Sequence, residues 1–146
     1  MTLILDIVVE IIRIILKLND KQIIIVEDKA IIALDLKNYL YKHGYENTIF
    51  FLSGDKALNY ISRNKPDLAL IDVILHSETD GIDIAKVLKK LSVPFIFVSA
   101  FSNPHQYDEA IKLKPAAVFL KPINLNEILS KIKEILKSNN DNTGFN

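Results

Sequence analysis

The sequence predicts an open, doubly wound α/β domain: a parallel five-stranded sheet with helices on both faces. Two observations and one rule of chain connection predict it. Short apolar runs alternate with amphipathic helical segments five times along the chain. Most of those runs are apolar throughout rather than alternating, as expected for strands covered on both faces. Right-handed crossovers then wind successive parallel strands into one sheet. At 146 residues and 49% hydrophobic, the chain is sized for one domain with a substantial core.

The first segment stands outside that alternation. In residues 3–18 the polar positions Asp6, Glu10, Arg13 and Lys17 are spaced four, three and four apart. At helical periodicity they fall on one narrow stripe, and apolar side chains cover the rest. A period-two strand cannot gather them on one face. Such a helix is about 24 Å long, short of the roughly 30 Å hydrocarbon core of a bilayer, and it carries charges along its middle. No membrane span is expected, and the basic start and small-residue cleavage site of a signal peptide are missing. Three readings stay open. The helix packs on its own domain, it makes a homodimer or docks on a partner, or, as a weaker third, it lies at a membrane interface.

From Gln22 the pattern is regular. Ile23-Ile24-Ile25-Val26 is a β-branched strand followed by Glu27 and Asp28. Residues 29–43 read as a helix with Ile32, Leu36, Tyr39 and Leu40 apolar, closed by Gly44. Residues 47–51 form the second strand, and Ser53 caps the helix carrying Ala57, Leu58 and Ile61. The run from Pro66 ends abruptly in the carboxylate of Asp72, the side chain around which the rest is organised. A polar loop over 76–81 leads to a helix marked by Ile84, Val87, Leu88 and Leu91. Residues 94–98 are the fourth strand, ending at Ser99-Ala100. Asn103 caps the next helix, with Pro104 at its first position. Residues 117–120 are the fifth strand, ending at Lys121-Pro122. Asn124 and Glu127 have capping-box spacing at the head of the last helix. The division expected is an extra helix over 1–19, the main domain over 20–137 and a flexible polar tail over 138–146.

Composition narrows the chemistry. Eighteen basic residues balance eighteen acidic ones, so nothing suggests a nucleic-acid duplex as partner. There is no cysteine, which excludes disulfides, thiolate zinc sites and thiol catalysis and suits a cytoplasmic protein. His43, His76 and His105 show no metal-ligand spacing and read as ordinary surface or loop residues.

In a sheet of this kind ligands bind beyond the carboxyl ends of the strands. Four of the five strands deliver a chemically competent group there: Glu27 and Asp28, Asp72, Ser99, and Lys121. Three carboxylates on one rim repel, and a hard divalent cation relieves this; an all-oxygen cluster suits Mg2+. A carboxylate nucleophile, a metal, an ammonium and a hydroxyl donor are the parts phosphoryl transfer needs.

These residues carry a resemblance. Ile24-Ile25-Val26-Glu27-Asp28, Pro66-Asp67 with Leu70-Ile71-Asp72, Asp80-Gly81-Ile82, Pro94 with Phe97-Val98-Ser99-Ala100, and Leu120-Lys121-Pro122 together resemble the receiver domain of two-component response regulators. The likeness spans about residues 22–137. It implies the flavodoxin-like sheet order 2-1-3-4-5. It implies that Asp72 takes a phosphoryl group from a sensor histidine kinase or phosphotransfer protein. Asp28 would bind Mg2+ directly, Glu27 through water, and the Ile74 carbonyl would be a further ligand beside Asp72. Ser99 and Lys121 would bond phosphoryl oxygens, Lys121-Pro122 would be cis, and Ala100 would be kept small. On this reading the chain is a stand-alone phosphoacceptor that signals through protein contacts, not an enzyme acting on a separate substrate.

One position departs from the family. A Tyr or Phe often stands three residues before the lysine; here it is Val118, and neighbouring Phe119 should face the other way. That departure keeps a phosphate-independent interaction or dimerisation module in view. A haloacid-dehalogenase-like phosphatase would need an acid where Ile74 stands. A cofactor binder on this sheet would need Gly or Ser/Thr where Glu27-Asp28-Lys29 stands.

Overall fold

The computed structural model describes residues 2–141, without the side chains of 17–19 and 138–141. The order is α1 (Thr2–Asp20), β1 (Ile23–Val26), α2 (Ala30–Lys42), β2 (Thr48–Phe51), α3 (Gly54–Ile61), β3 (Leu68–Ile71), α4 (Gly81–Lys90), β4 (Phe95–Ser99), α5 (Pro104–Lys112), β5 (Ala117–Leu120) and α6 (Leu125–Asp141). The strands form one parallel sheet in the order β2-β1-β3-β4-β5, as expected. The last helix continues past the expected boundary at 137, and the rest of the expected tail, 142–146, lies outside the described residues.

Two hydrophobic clusters explain why the strands are apolar on both faces. Side chains alternate along a strand, so Ile24 and Val26 join one cluster while Ile23 and Ile25 join the other. The first cluster takes Ala57 and Ile61 of α3, Ile82, Ile84, Ala85 and Leu88 of α4, and Ala110 of α5. The second takes Ala33, Leu36 and Leu40 of α2 with Ile128, Leu129, Ile132, Ile135 and Leu136 of α6. Strands β1, β3 and β4 are buried throughout; β2 and β5, at the sheet edges, are mostly half-buried.

Local chemistry sets the helix ends. Ser53 accepts from the Lys56 amide at 3.2 Å, Asn103 from Gln106 at 2.9 Å and Asn124 from Glu127 at 3.2 Å. At the head of α4, Asp80 and Asp83 form a reciprocal box in which each carboxylate accepts the other's amide. The polar pattern over 76–81 and the Asp80-Gly81-Ile82 motif give no sign of this capping role for Asp80. Gly44, at φ +96°, closes α2: its amide donates to the Tyr41 carbonyl and the Tyr45 amide donates to Leu40.

Tyr45 itself is buried and its hydroxyl has no hydrogen-bond partner among the described residues. Burial pushes its pKa up. Removing that oxygen relieves an unpaid desolvation cost, so Tyr45→Phe is expected to hold stability level or raise it by about 1 kcal/mol in urea unfolding. A loss of that size would mean that the hydroxyl is bonded.

Helix α1 is present but is not packed on the domain. Every described side chain from Thr2 to Leu16 is exposed, which overturns the first of the three readings. Among the described residues no helix is long and apolar enough to cross a membrane.

An acidic pocket at the strand ends

The sheet register delivers the pocket. Val26 is level with Ile71, and the Asp72 amide donates to the Val26 carbonyl at 2.9 Å. The Glu27 amide donates to Phe51 at 3.1 Å, so both acids leave the sheet at its C-terminal edge. Ser99, the last residue of β4, is level with Leu120, and the Lys121 amide donates to the Ser99 carbonyl at 3.1 Å.

Asp72 is the hub. Its Oδ1 accepts from the Ser99 hydroxyl at 2.7 Å and from the Ile74 amide at 2.9 Å. Its Oδ2 accepts from the Lys121 ammonium at 2.7 Å. The same ammonium donates to Glu27 Oε2 at 2.6 Å, and the Lys29 amide donates to Glu27 Oε1 at 3.0 Å. Glu27, Asp72 and Ser99 are all buried, at 4%, 6% and 0% exposure. These are charge-assisted bonds in a place poor in water, where each counts for more than at a surface.

Asp28 completes the acidic group. Oxygen atoms of Glu27, Asp28 and Asp72 lie within 4.8 Å of one another. Asp28 Oδ2 accepts from the His76 amide at 3.3 Å and also contacts the His76 ring Nδ1. His76 is an exposed loop residue, as expected, and also the neighbour of Asp28.

The electrostatics follow. Burial raises the Glu27 carboxyl above its ordinary range, a push that the Lys121 hydrogen bond and the Lys29 amide only partly offset. Burial also pushes Asp28 upward, but the hydrogen bonds from the His76 ring and backbone outweigh it and hold the carboxyl low. For Lys121, burial disfavours the ammonium, yet the hydrogen bonds it donates to Asp72 and Glu27 prevail and raise its pKa. Three carboxylates thus face one ammonium, and the donor set is all oxygen. That set fits a hard cation such as Mg2+.

The side chains expected to form the site meet here: Glu27, Asp28, Asp72, Ser99 and Lys121, with Ile74 reaching Asp72 through its amide. The Lys121-Pro122 bond is cis, as expected. Val118 packs with the α3–α5 cluster and Phe119 with the α2–α6 cluster, so Phe119 does face away from Val118's side.

Gly81 is a further positioning residue that the sequence pattern does not reveal as such. Its amide donates to the Val73 carbonyl at 3.1 Å. A Cβ there would lie 2.2 Å from the Asp72 carbonyl oxygen and 2.6 Å from Val73 Cα, both backbone atoms that cannot swing aside. Gly81→Ala is therefore expected to cost about 3 kcal/mol in chemical unfolding and to displace Asp72. A fully stable alanine variant would contradict that close approach.

The comparisons agree with this architecture. The family model for the response regulator receiver domain matches residues 23–133. Sporulation initiation phosphotransferase F of Bacillus subtilis is 32% identical over 126 residues, which is 84% of this chain and 99% of that protein. Transcriptional regulatory protein PdtaR of Mycobacterium tuberculosis is 30% identical over 114 residues, 77% of this chain but 55% of that one. The chain thus spans about half the length of several curated transcriptional regulators that it matches. A CheY-like receiver domain protein from Methanospirillum hungatei superposes with a TM-score of 0.76 at 27% identity, covering 84% of this chain and 98% of that one. With this sheet order, this strand-end pocket and these matches, the chain belongs to the response regulator receiver domain family.

Proposed function

We propose that this receiver domain accepts a phosphoryl group on Asp72, from a histidine of a sensor kinase or phosphotransfer protein, and signals by altering protein contacts. The observation that carries this reading is the convergence of Ser99 and Lys121 on Asp72, beside Glu27 and Asp28. A carboxylate oxygen of Asp72 attacks the phosphorus of a phosphohistidine. The O–P bond forms as the N–P bond breaks, and the leaving imidazole takes a proton from water. Lys121 and Ser99, which bond Asp72, would bond the transferred oxygens as they arrive. Mg2+ would be held by Glu27, Asp28, Asp72 and the Ile74 carbonyl, and would offset the negative charge of the carboxylates and of the incoming phosphoryl oxygens.

The surface that would carry the signal lies next to Ser99 and Lys121. A groove of about 520 Å³ is lined by Ala100, Phe101, Tyr107, Leu120 and Lys121, among others. Phe101 and Tyr107 meet edge to face at 5.1 Å. Tyr107 and Leu120 of its lining are exposed, which suits a face that a partner reads.

Val118 favours a second reading, a receiver scaffold that binds partners without phosphate. Incubation with acetyl phosphate and Mg2+, followed by intact-mass measurement, separates the two. The phosphoacceptor reading expects one added phosphoryl group, lost on omitting Mg2+. No addition under any condition leaves the interaction module.

A further inference from the structure

We propose that copies of this chain associate through α1, with neighbouring helices antiparallel. Eleven of its described side chains are large, apolar and 39–71% exposed, from Leu3 to Leu16. At roughly 100 Å² each, they put on the order of 1,000 Å² of apolar surface in water, against roughly 300–600 Å² for the largest patch of an ordinary monomer and about 800 Å² per partner in a stable interface. The helix therefore carries enough surface for a stable association and too much to stay bare. Its arc is also wider than the seam of a two-helix contact, which suits a bundle of more than two helices; antiparallel pairing makes their number even.

Two features choose a second copy and set its direction. The polar stripe runs acid, acid, base, base: Asp6, Glu10, Arg13, Lys17. Reversing one copy about the midpoint between Ile11 and Ile12 brings Asp6 level with Lys17, Glu10 with Arg13 and Val8 with Ile15. A parallel copy would put each charge level with its like. The stripe lies away from the centre of the apolar arc, so it selects direction more than it adds attraction. Within one helix Arg13 already reaches Glu10 at 3.6 Å. The second feature is steric. Only Lys21 and Gln22 separate α1 from β1. Gln22 is pinned: its amide donates to Asp67 Oδ2 at 2.7 Å and its Oε1 accepts from the Tyr60 hydroxyl at 2.9 Å. Parallel helices at a spacing of about 8–10 Å would crowd the receiver domains side by side at one end. Antiparallel ones carry them to opposite ends.

An anionic membrane is a poorer occupant, because Asp6, Glu10 and Asp20 outnumber Arg13 and Lys17. This inference stands apart from the phosphoryl chemistry, since it is read from mass alone and Asp72→Asn is expected to leave it intact.

The test is sedimentation velocity on the full chain over a wide range of concentration. An even-numbered assembly is expected, and Ile11→Asp with Ile15→Asp should return a monomer with an unchanged circular dichroism signature of the α/β domain. The chain has no cysteine, so single cysteines report direction. On oxidation, Ile12→Cys, beside the dyad, should give a covalent dimer, and Ile4→Cys should not. A monomer at every concentration, a trimer, cross-linking through Ile4→Cys, or a monomer that co-sediments with phosphatidylglycerol vesicles would each overturn the proposal.

Discussion

Asp72→Asn is expected to take up no phosphoryl group from acetyl phosphate and Mg2+, where the unchanged chain takes up one. The expectation rests on what surrounds each acid. Both donors suited to a phosphoryl oxygen, the Ser99 hydroxyl and the Lys121 ammonium, touch Asp72, at 2.7 Å each. Glu27 has the ammonium but no hydrogen bond to Ser99, and Asp28 is engaged with His76 instead. No second acid in the pocket has the donors needed to stand in as nucleophile. The amide of Asn keeps the size of the side chain and much of its bonding, so a folded variant with no uptake isolates the lost oxygen nucleophile. Ser99→Ala keeps the nucleophile and loses one donor; its rate of uptake should fall by about 10²–10³-fold. Uptake by Asp72→Asn at the rate of the unchanged chain would remove the assignment.

Lys121→Met is expected to be the most destabilising substitution in the pocket, by about 3–5 kcal/mol in chelator-treated protein. The ammonium is bonded to two carboxylates that are nearly out of water, with side-chain exposures of 6% for Glu27 and 7% for Asp72. Methionine preserves the length of the stem and strands both charges. The sign with pH follows from the raised pKa of each group. Burial raises Glu27 in the folded chain, so acidification favours its neutral, folded form. The deficit of the methionine variant should therefore shrink as pH falls towards the carboxylate range. The raised pKa of Lys121 means that its own contribution is fully present below the ordinary lysine value and lost as pH climbs through the raised one. The two proteins should then converge in strong alkali. Urea unfolding in EDTA at several pH values reads all of this. An equal stability at neutral pH would mean that the buried carboxylates are compensated by something other than Lys121.

How much of this was legible in the sequence differs by element, for physical reasons. The strands were plain because a parallel sheet covered on both faces demands unbroken apolar runs such as Ile23–Val26 and Leu68–Ile71. A polar residue that ends such a run must reach the sheet edge, which is why Glu27, Asp72, Ser99 and Lys121 could be assembled from linear spacing. The orientation of Phe119 against Val118 was legible by the two-residue period alone. The partners of those groups were not. His76 meets Asp28 across 48 positions of chain, and nothing in the composition of the loop marks that contact. Gly81 read as motif, yet its need to be glycine arises from backbone packed against backbone at Asp72 and Val73. The box at Asp80 and Asp83 was hidden in a run of polar residues that a loop explains as well. For α1 the stripe of Asp6, Glu10 and Arg13 disclosed a helix, but periodicity gives a face and not what covers it. Only the structure shows that its own domain does not.

The central claim is that one pocket at the sheet edge holds a phosphoryl group on Asp72. A crystal structure of the chain with Mg2+ and beryllium trifluoride, a phosphoryl mimic, tests it most directly. The account predicts the mimic joined to an oxygen of Asp72, with Lys121 and Ser99 on its fluorines and the metal among Glu27, Asp28 and Asp72. A mimic bound elsewhere, or an Asp72 still bonded only to Ser99, Ile74 and Lys121 at saturating mimic and metal, would contradict it.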